Sequence, residues 1–512
     1  MHLSVGRGAP IVKCSLKCWP RVGVNFHSRA GKLTRLVFRR GFANWRERRA
    51  YSLCMVSTIP GVLSSGARVV RAVAFSSPAR SALLAFAAAI AVFTVLLKMP
   101  WATSSDGSAY LHDAVFTAAS AVAVTGLTTV DTATYWSTAG QVVILAGIQV
   151  GGLGIVTISS LLALSVTRQF GVRTRLLAQT GMSAGGLGEI RSLIKTIVVS
   201  SALVELVIAL ILAPRFIAQQ GSFGDGLWHA VFYAVSAFNN AGFVLHPDGL
   251  ASVAGDPVVF WALICAVFLG SLGFPVLLVL WKHQWRLGRW NLHTRLTVEV
   301  SVLLMIVGAL GFAALEWSNG ATLGSDGVSD KFQQSLFASV MMRSGGFAII
   351  DPVDTTASTM LITDALMFVG GGSVSTAGGV KVTTLAVIFL AFLAEARGRE
   401  DATAHGRALP TSAIRVAVSV AGMGLTLVAA SALALMVLTG EDLGRPLFES
   451  ISAFATCGLS SGLSAELEPA GVYLLSGLMF AGRVGVITFA TALTMRARRT
   501  RYRLPIERPI IG

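Results

Sequence analysis

The sequence predicts an all-α polytopic membrane protein built from four pseudo-symmetric repeats, and three observations carry that prediction. The first is composition: 54% of the 512 residues are hydrophobic and 13% are charged, against about 25% charged in soluble domains. The second is a series of apolar runs near the length of about 20 residues that a spanning helix needs. These are Ser81–Leu97, Gln141–Val166, Ser192–Leu212, Val258–Trp281, Val298–Leu315, Thr359–Leu393, Ile414–Leu438 and Gly471–Met495. The third is a motif of small residue, Gly, then Leu or Phe. It recurs as Thr125-Gly126-Leu127, Ala241-Gly242-Phe243, Gly345-Gly346-Phe347 and Cys457-Gly458-Leu459, with glycines 116, 104 and 112 residues apart. Self-similarity at a near-constant period signals internal repeats.

Each motif closes a short amphipathic stretch between two apolar runs. In Phe116–Gly126, Phe232–Gly242 and Phe448–Gly458 the Phe lies ten residues before the Gly, and Ser120, Ser236 and Ser452 lie four after the Phe. The third copy, Phe337–Gly346, is one residue shorter. The stretches Leu111–Val122, Gly226–Asn239, Asp330–Met342 and Pro446–Ala455 are too short to cross a hydrocarbon core of about 30 Å. Each can enter as a half-helix and return as extended backbone, which is tolerated at that depth only where it is buried in protein or lines water. Acids near the half-helix starts, Asp225 and Asp330, match the positive end of a helix dipole, and the converging negative ends favour a cation. The expected unit is outer helix, re-entrant pore half-helix, filter strand and inner helix, four times around one central pore. The repeats fall at 81–168, 190–282, 296–396 and 410–497, between a disordered basic tail (1–80) and a C-terminal tail (498–512). The plainer alternative is an eight-helix bundle whose glycines only permit close packing.

Charge sets the expected orientation. Net charge is +16, with fifteen Lys and Arg against one acid, Glu47, in residues 1–80. Alternate connections carry Arg168, Arg173, Arg175 and Arg191, then Lys282, Arg286, Arg289 and Arg295, then Arg397, Arg399 and Arg407, then Arg496 to Arg503. The opposite connections are mostly acidic, with Asp106, Asp225, Asp248, Asp326, Asp351, Asp354, Glu466 and Glu468. Basic loops stay inside, so both termini are expected in the cytoplasm of a cell-membrane protein with eight spans. The tail precedes a membrane body, which argues against nucleic acid as a partner. Five cysteines show no metal-ligand or disulfide spacing. The spans hold almost no His, Asp or Glu, which argues against a membrane enzyme.

Eight segments carry a resemblance to a known family. They are Ser120–Thr132, Gln149–Gly154, Phe238–Phe243, Gly270–Pro275, Arg343–Phe347, Met367–Thr384, Ala455–Ser460 and Met479–Thr488. Over residues 76–497 the chain resembles the TrkH/KtrB superfamily of potassium transporters, in its eight-span, KtrB-like form. The resemblance implies a homodimer with one pore per subunit, K+ as the transported ion and no tightly bound cofactor. It also implies cytoplasmic nucleotide-binding regulatory subunits like TrkA or KtrA, since this chain has no dinucleotide fingerprint of its own.

The expected selectivity filter comprises Gly126, Gly242, Gly346 and Gly458. A dehydrated cation needs close carbonyls, and Gly permits the required backbone angles. By likeness to the family, the carbonyls of Val124, Thr125, Asn240, Ala241, Gly345, Thr456 and Cys457 complete it. Gly in all four positions resembles potassium-preferring members. The run Gly370–Gly379 has five glycines in ten residues, which a helix holds poorly at about 1 kcal/mol per Gly. It reads as a gating loop (Gly370, Gly371, Gly372, Ser373, Gly378, Gly379) or as a passive kink. Val374 stands where family members often have Pro. Arg483, in mid-span, reads as an electrostatic barrier or as the partner of an acid such as Glu205. Arg343 is expected to brace the third filter or to bond pore-helix carbonyls. Asp131, Asp351 and Asp354 either attract cations at the outer mouth or cap turns. Lys381 either faces a vestibule or snorkels. The function expected is potassium conduction down its electrochemical gradient. A less selective K+/Na+ transporter or cation symporter is the alternative, and a non-transporting bundle or a membrane enzyme is more distant.

Overall fold

In a membrane an apolar run satisfies its backbone as helix or closed barrel, and among the described residues the computed structural model is helical along most of its apolar runs. It describes residues 78–169 and 187–485, apart from 106, 248, 252–254 and 285. Residues 1–77 of the expected N-terminal tail, the C-terminal tail, and the last repeat beyond residue 485 lie outside the described residues, while residues 78–80 of the expected tail are helical, the first turn of the helix that opens at Pro78. The elements in order are α1 (Pro78–Leu97), α2 (Leu111–Ala123), α3 (Thr138–Gln169), α4 (Leu187–Gln220) and α5 (Phe223–Phe238). Then come α6 (Pro257–Leu272), α7 (Phe274–His283), α8 (Leu292–Glu316), α9 (Val328–Ser344), α10 (Ala357–Phe368) and α11 (Val382–Ala396). The series closes with α12 (Thr411–Thr439), α13 (Gly444–Ala455), the single turn α14 (Leu463–Glu466), α15 (Pro469–Phe480) and a π-helical turn at Ala481–Gly485.

The four short stretches are the helices α2, α5, α9 and α13. Local chemistry sets their ends. Ser222 caps α5 by accepting from the Asp225 amide at 3.4 Å. First-turn acids Asp113, Asp225 and Asp330 complement the dipoles of α2, α5 and α9. The helix α13 has no such acid. Its buried Glu449 instead accepts hydrogen bonds from Ser460, Ser461 and Ser464.

One expected single span is broken, and the longest apolar run is interrupted at its glycines. The stretch Val258–Trp281 divides at Gly273 into α6 and α7, which meet at 103°. Gly273 has φ 91° and Pro275 follows it, so the first residue departs from helical angles and the second cannot donate back to the previous turn. Thr359–Leu393 divides into α10 and α11 around the glycine-rich loop. Among the described residues, three helices are long and apolar enough to cross a membrane unaided: Lys195–Gln220 of α4, α8 and α12. The short pair Thr403–Ala404 and Arg407–Ala408 makes a hairpin in the connection before α12, turned by His405 and Gly406, both at positive φ.

The repeated Phe residues explain how the short helices are held. Phe116, Phe232 and Phe448 are fully buried and Phe337 nearly so. Phe232 and Phe337 join an apolar cluster with Phe216, Phe260 and Leu263. Phe116 and Phe448 join a second one with Phe454, Leu475 and Met479. Each thus inserts a short helix between longer ones. Truncating a buried Phe costs about 3–5 kcal/mol. Phe448→Ala is therefore expected to lower the melting temperature of the detergent-solubilised protein far more than Phe332→Ala, whose parent is half-exposed (52%). Equal losses would remove Phe448 from this role.

Candidate cation site

The four motifs lie at the C-terminal ends of α2, α5, α9 and α13. In three of them a non-glycine residue takes the left-handed cap: Val124 (φ 55°), Asn240 (61°) and Thr456 (49°). A β-branched residue there is an outlier held by its surroundings. The next amide returns to a carbonyl five residues back, as Thr125 to Ser120 at 2.8 Å, Ala241 to Ser236 at 2.7 Å and Cys457 to Ser452 at 3.0 Å. The shorter third loop has αR Gly345 instead, and Gly346 donates to Met341 at 3.3 Å.

The repeated serines tie down the backbone beyond each cap. Ser120 Oγ accepts from the Gly126 amide at 3.0 Å, and Ser452 Oγ from Gly458 at 3.1 Å. Ser236 Oγ donates to the Phe243 carbonyl at 3.0 Å. The repeat exposed these serines in the sequence but not their task.

The four glycines meet in a closed ring. They have φ of 91°, 70°, 71° and 101° in chain order. A Cβ on Gly126 would strike the Ala241 carbonyl, and one on Gly242 would come within 2.9 Å of Gly346 Cα. One on Gly346 would strike the Cys457 carbonyl, and one on Gly458 the Thr125 carbonyl. Glycine is required because neighbouring loops touch, beyond the demand of φ. The second and fourth loops therefore lie diagonally opposed. Among the described residues, no donor reaches the carbonyls of residues 124–126, 240–242, 345–346 or 456–458. Nearly all of these residues are buried. Buried carbonyls are almost always paired, so an oxygen-rich cluster of this kind is chemically suited to a cation.

The glycine-rich loop between α10 and α11 packs against these helix ends. A Cβ on Gly370, Gly371 or Gly372 would run into the carbonyls of Gly378, Ser271 and Leu272, and one on Gly378 into Thr456 Oγ1 and the Ala455 carbonyl. Ser373 Oγ pairs with Thr383 Oγ1 at 3.0 Å. Gly379 and Val374 have φ of 64° and 60°. Proline cannot adopt the Val374 angle, so this loop follows its own path there. Lys381 Nζ donates to the carbonyls of Ala377 (2.5 Å) and Gly378 (3.2 Å), so it holds the loop and does not snorkel.

Arg483, on the π-helical turn, is buried. Its Nη1 donates to the Thr376 carbonyl and reaches to 3.5 Å from Thr456 Oγ1. Among the described residues, Nε and Nη2 have no partner. Glu205 is not its counter-ion: that carboxylate accepts from Gln149 (2.9 Å) and Asn239 (3.1 Å) behind the second loop. Asp364, also buried in α10, is a second intraspan acid that the hydropathy pattern hid. Arg343 does not bond pore-helix carbonyls. It donates to Ser301 on α8, to the carbonyl at 3.0 Å and to Oγ at 3.2 Å. Asp131 and Asp351 cap turns, at the amides of Ala133 and Val353. Asp354 contributes its backbone carbonyl, which accepts from Asn319 at 3.0 Å. Sequence reasoning missed Glu449 and Glu316, which bind the segments after the fourth loop and before α10. An acid inside the apolar run Phe448–Ala455 was the available signal for Glu449.

Long apolar helices around a buried cluster of backbone oxygens define a multi-pass membrane protein suited to cations. Residues 72–499 match the TrkH family, described as a cation transport protein, and the chain belongs to that family. It is 37% identical over 422 residues to the Ktr system potassium uptake protein B of Bacillus subtilis (strain 168), covering 82% of this chain and 94% of the relative. It is 32% identical over 426 residues to the potassium/sodium uptake protein NtpJ of Enterococcus hirae, covering 81% and 93%. The fold is similar to the crystal structure of the potassium transporter TrkH from Vibrio parahaemolyticus. The TM-score is 0.63, covering 80% of this chain and 84% of that one, at 18% identity. The family is one of transporters, not enzymes.

The packing of the ring makes a prediction. Gly242→Ala places a methyl group against Gly346 at positive φ, so transport is expected to fall at least tenfold with the protein still folded by size-exclusion chromatography. Gly255→Ala, with open space around it, should leave transport unchanged. Retained transport in Gly242→Ala would remove the ring from the site.

Proposed function

We propose that this chain is the ion-conducting membrane subunit of a potassium uptake system, passing K+ through a four-loop filter down its electrochemical gradient. The observation that carries this reading is the ring of four glycine motifs with buried, unpaired carbonyls. Four helix C-termini add negative potential at the same place. An inside-negative membrane supplies about 2.3 kcal/mol per charge per 100 mV. The four units act as pseudo-symmetric repeats around one pore, with the boundaries inferred from the sequence. The loop 370–380 is the gate, Arg483 the electrostatic barrier, and Arg343 a brace of the third filter through α8.

Basic residues in the connections after α7 and α11 support a cytoplasmic side for those loops and for both termini. The Bacillus relative is named as part of a Ktr system, which supports a chain that works with further subunits; we read the assembly as a homodimer with cytoplasmic nucleotide-binding subunits. The name of the Enterococcus relative favours a second reading, a pathway shared by K+ and Na+. In the present chain all four filter positions are Gly, which supports preference for potassium.

Rubidium-86 uptake into potassium-loaded liposomes tests the reading. Uptake blocked by external potassium and spared by equal sodium is expected. Equal block by both would replace selective conduction with the shared pathway, and no uptake, even with a regulatory partner added, would overturn transport.

A further inference from the structure

The glycine-rich loop does more than lie near the ring, because one of its residues is bonded toward two opposed filter loops. Thr376 is buried, 1% exposed. Its Oγ1 lies 2.9 Å from Asn240 Oδ1, 3.0 Å from the Gly270 carbonyl and 3.4 Å from the Phe238 carbonyl. Its own carbonyl accepts from Arg483 Nη1, the same nitrogen that reaches to 3.5 Å from Thr456 Oγ1. Asn240 and Thr456 are the left-handed residues of the second and fourth loops, which lie diagonally across the ring. Each immediately precedes a residue of the ring, Ala241 or Cys457.

The Asn240 amide is fully committed. Its Nδ2 donates to Ser344 Oγ at 2.8 Å and to the Val267 carbonyl at 3.2 Å. Ser344 directly precedes the third motif. With both amide protons so used, Oδ1 must face Thr376, whose one hydroxyl proton it competes for at the shortest distance, 2.9 Å, against the Gly270 carbonyl at 3.0 Å and the Phe238 carbonyl at 3.4 Å. Asn tolerates a left-handed angle better than other non-glycine residues, but a fixed side chain is what selects it here. Withdrawing the loop removes that donor and leaves a buried acceptor unpaired. The Asn240–Ala241 peptide, whose carbonyl belongs to the ring, then loses its constraint.

We infer that Thr376 is the positioning residue that couples the loop to the filter, so that ion selectivity depends on loop position through Asn240 on one side and Arg483 on the other. This rests on reading the ring as the filter and the loop as the gate. The hydroxyl carries the first link and the backbone carbonyl the second, so a substitution that removes only the hydroxyl cuts the link to the second loop.

The test compares wild-type protein with Thr376→Val, Thr376→Ala and Thr376→Ser. Two quantities are read. One is the ratio of sodium to potassium concentrations that half-block rubidium-86 uptake in liposomes. The other is the potassium chloride concentration that half-protects the detergent-solubilised protein against heat. The Val variant should shift the ratio at least fivefold toward sodium and raise the protection midpoint at least threefold, and the Ser variant should return both to within twofold of wild type. The Ala variant, which cannot clash, replaces Val if Val does not fold. A hydroxyl-free variant that changes uptake rate but keeps both quantities within twofold of wild type would overturn the coupling, as would one with no effect. Wild-type liposomes that take up no rubidium would instead count against the transport reading, while the protection midpoint still judges the coupling.

Discussion

A backbone carbonyl buried away from water needs a hydrogen-bond donor or a cation, and among the described residues this fold gathers unpaired carbonyls from four chain segments into one place. Leaving one buried acceptor unsatisfied costs about 1–3 kcal/mol, so such a cluster needs a strong scaffold and a cation to offset it. Everything else in the structure answers that demand. Helices too short to span deliver their ends to the ring, and the longer helices α4, α8 and α12 pack against α5, α9 and α13. The buried Phe of each short helix wedges it in place. Left-handed caps turn the chain out of the helix, and the glycines let neighbouring loops touch.

The scaffold is similar in plan at each loop and different in detail. Hydroxyls of Ser120 and Ser452 hold the first and fourth glycine amides, whereas Ser236 holds the carbonyl after the second glycine. The third loop, one residue shorter, lacks the serine and leans on Arg343 and Ser344. A ring with unequal sides can bind an ion and still be steered from one side. The glycine-rich loop touches the second loop through Thr376 and Asn240 and reaches toward the fourth through Arg483.

Much of this is legible in the sequence because repetition is a local, countable signal. Phe, Ser and Gly at matched positions locate the short helices and the glycines of the ring from spacing alone. Charge in the loops is countable in the same way and indicates an orientation. Hydropathy is blind to bends, so the 103° break at Gly273 is hidden within one apolar run, although Gly273 and Pro275 announce it. Pairings between distant residues leave no spacing to read. Arg343 finds Ser301, Glu205 finds Gln149 and Asn239, and Thr376 finds Asn240, across 42, 56, 34 and 136 residues. Asp364 is masked because the long run around it averages as apolar.

The most direct measurement is anomalous X-ray scattering from crystals grown in rubidium or thallium salts. The account predicts the dominant anomalous peak at the centre of the ring, within coordination distance of carbonyls from the loops at Thr125, Ala241, Gly345 and Cys457. A ring without a peak, in crystals that show ordered rubidium or thallium elsewhere, would contradict it.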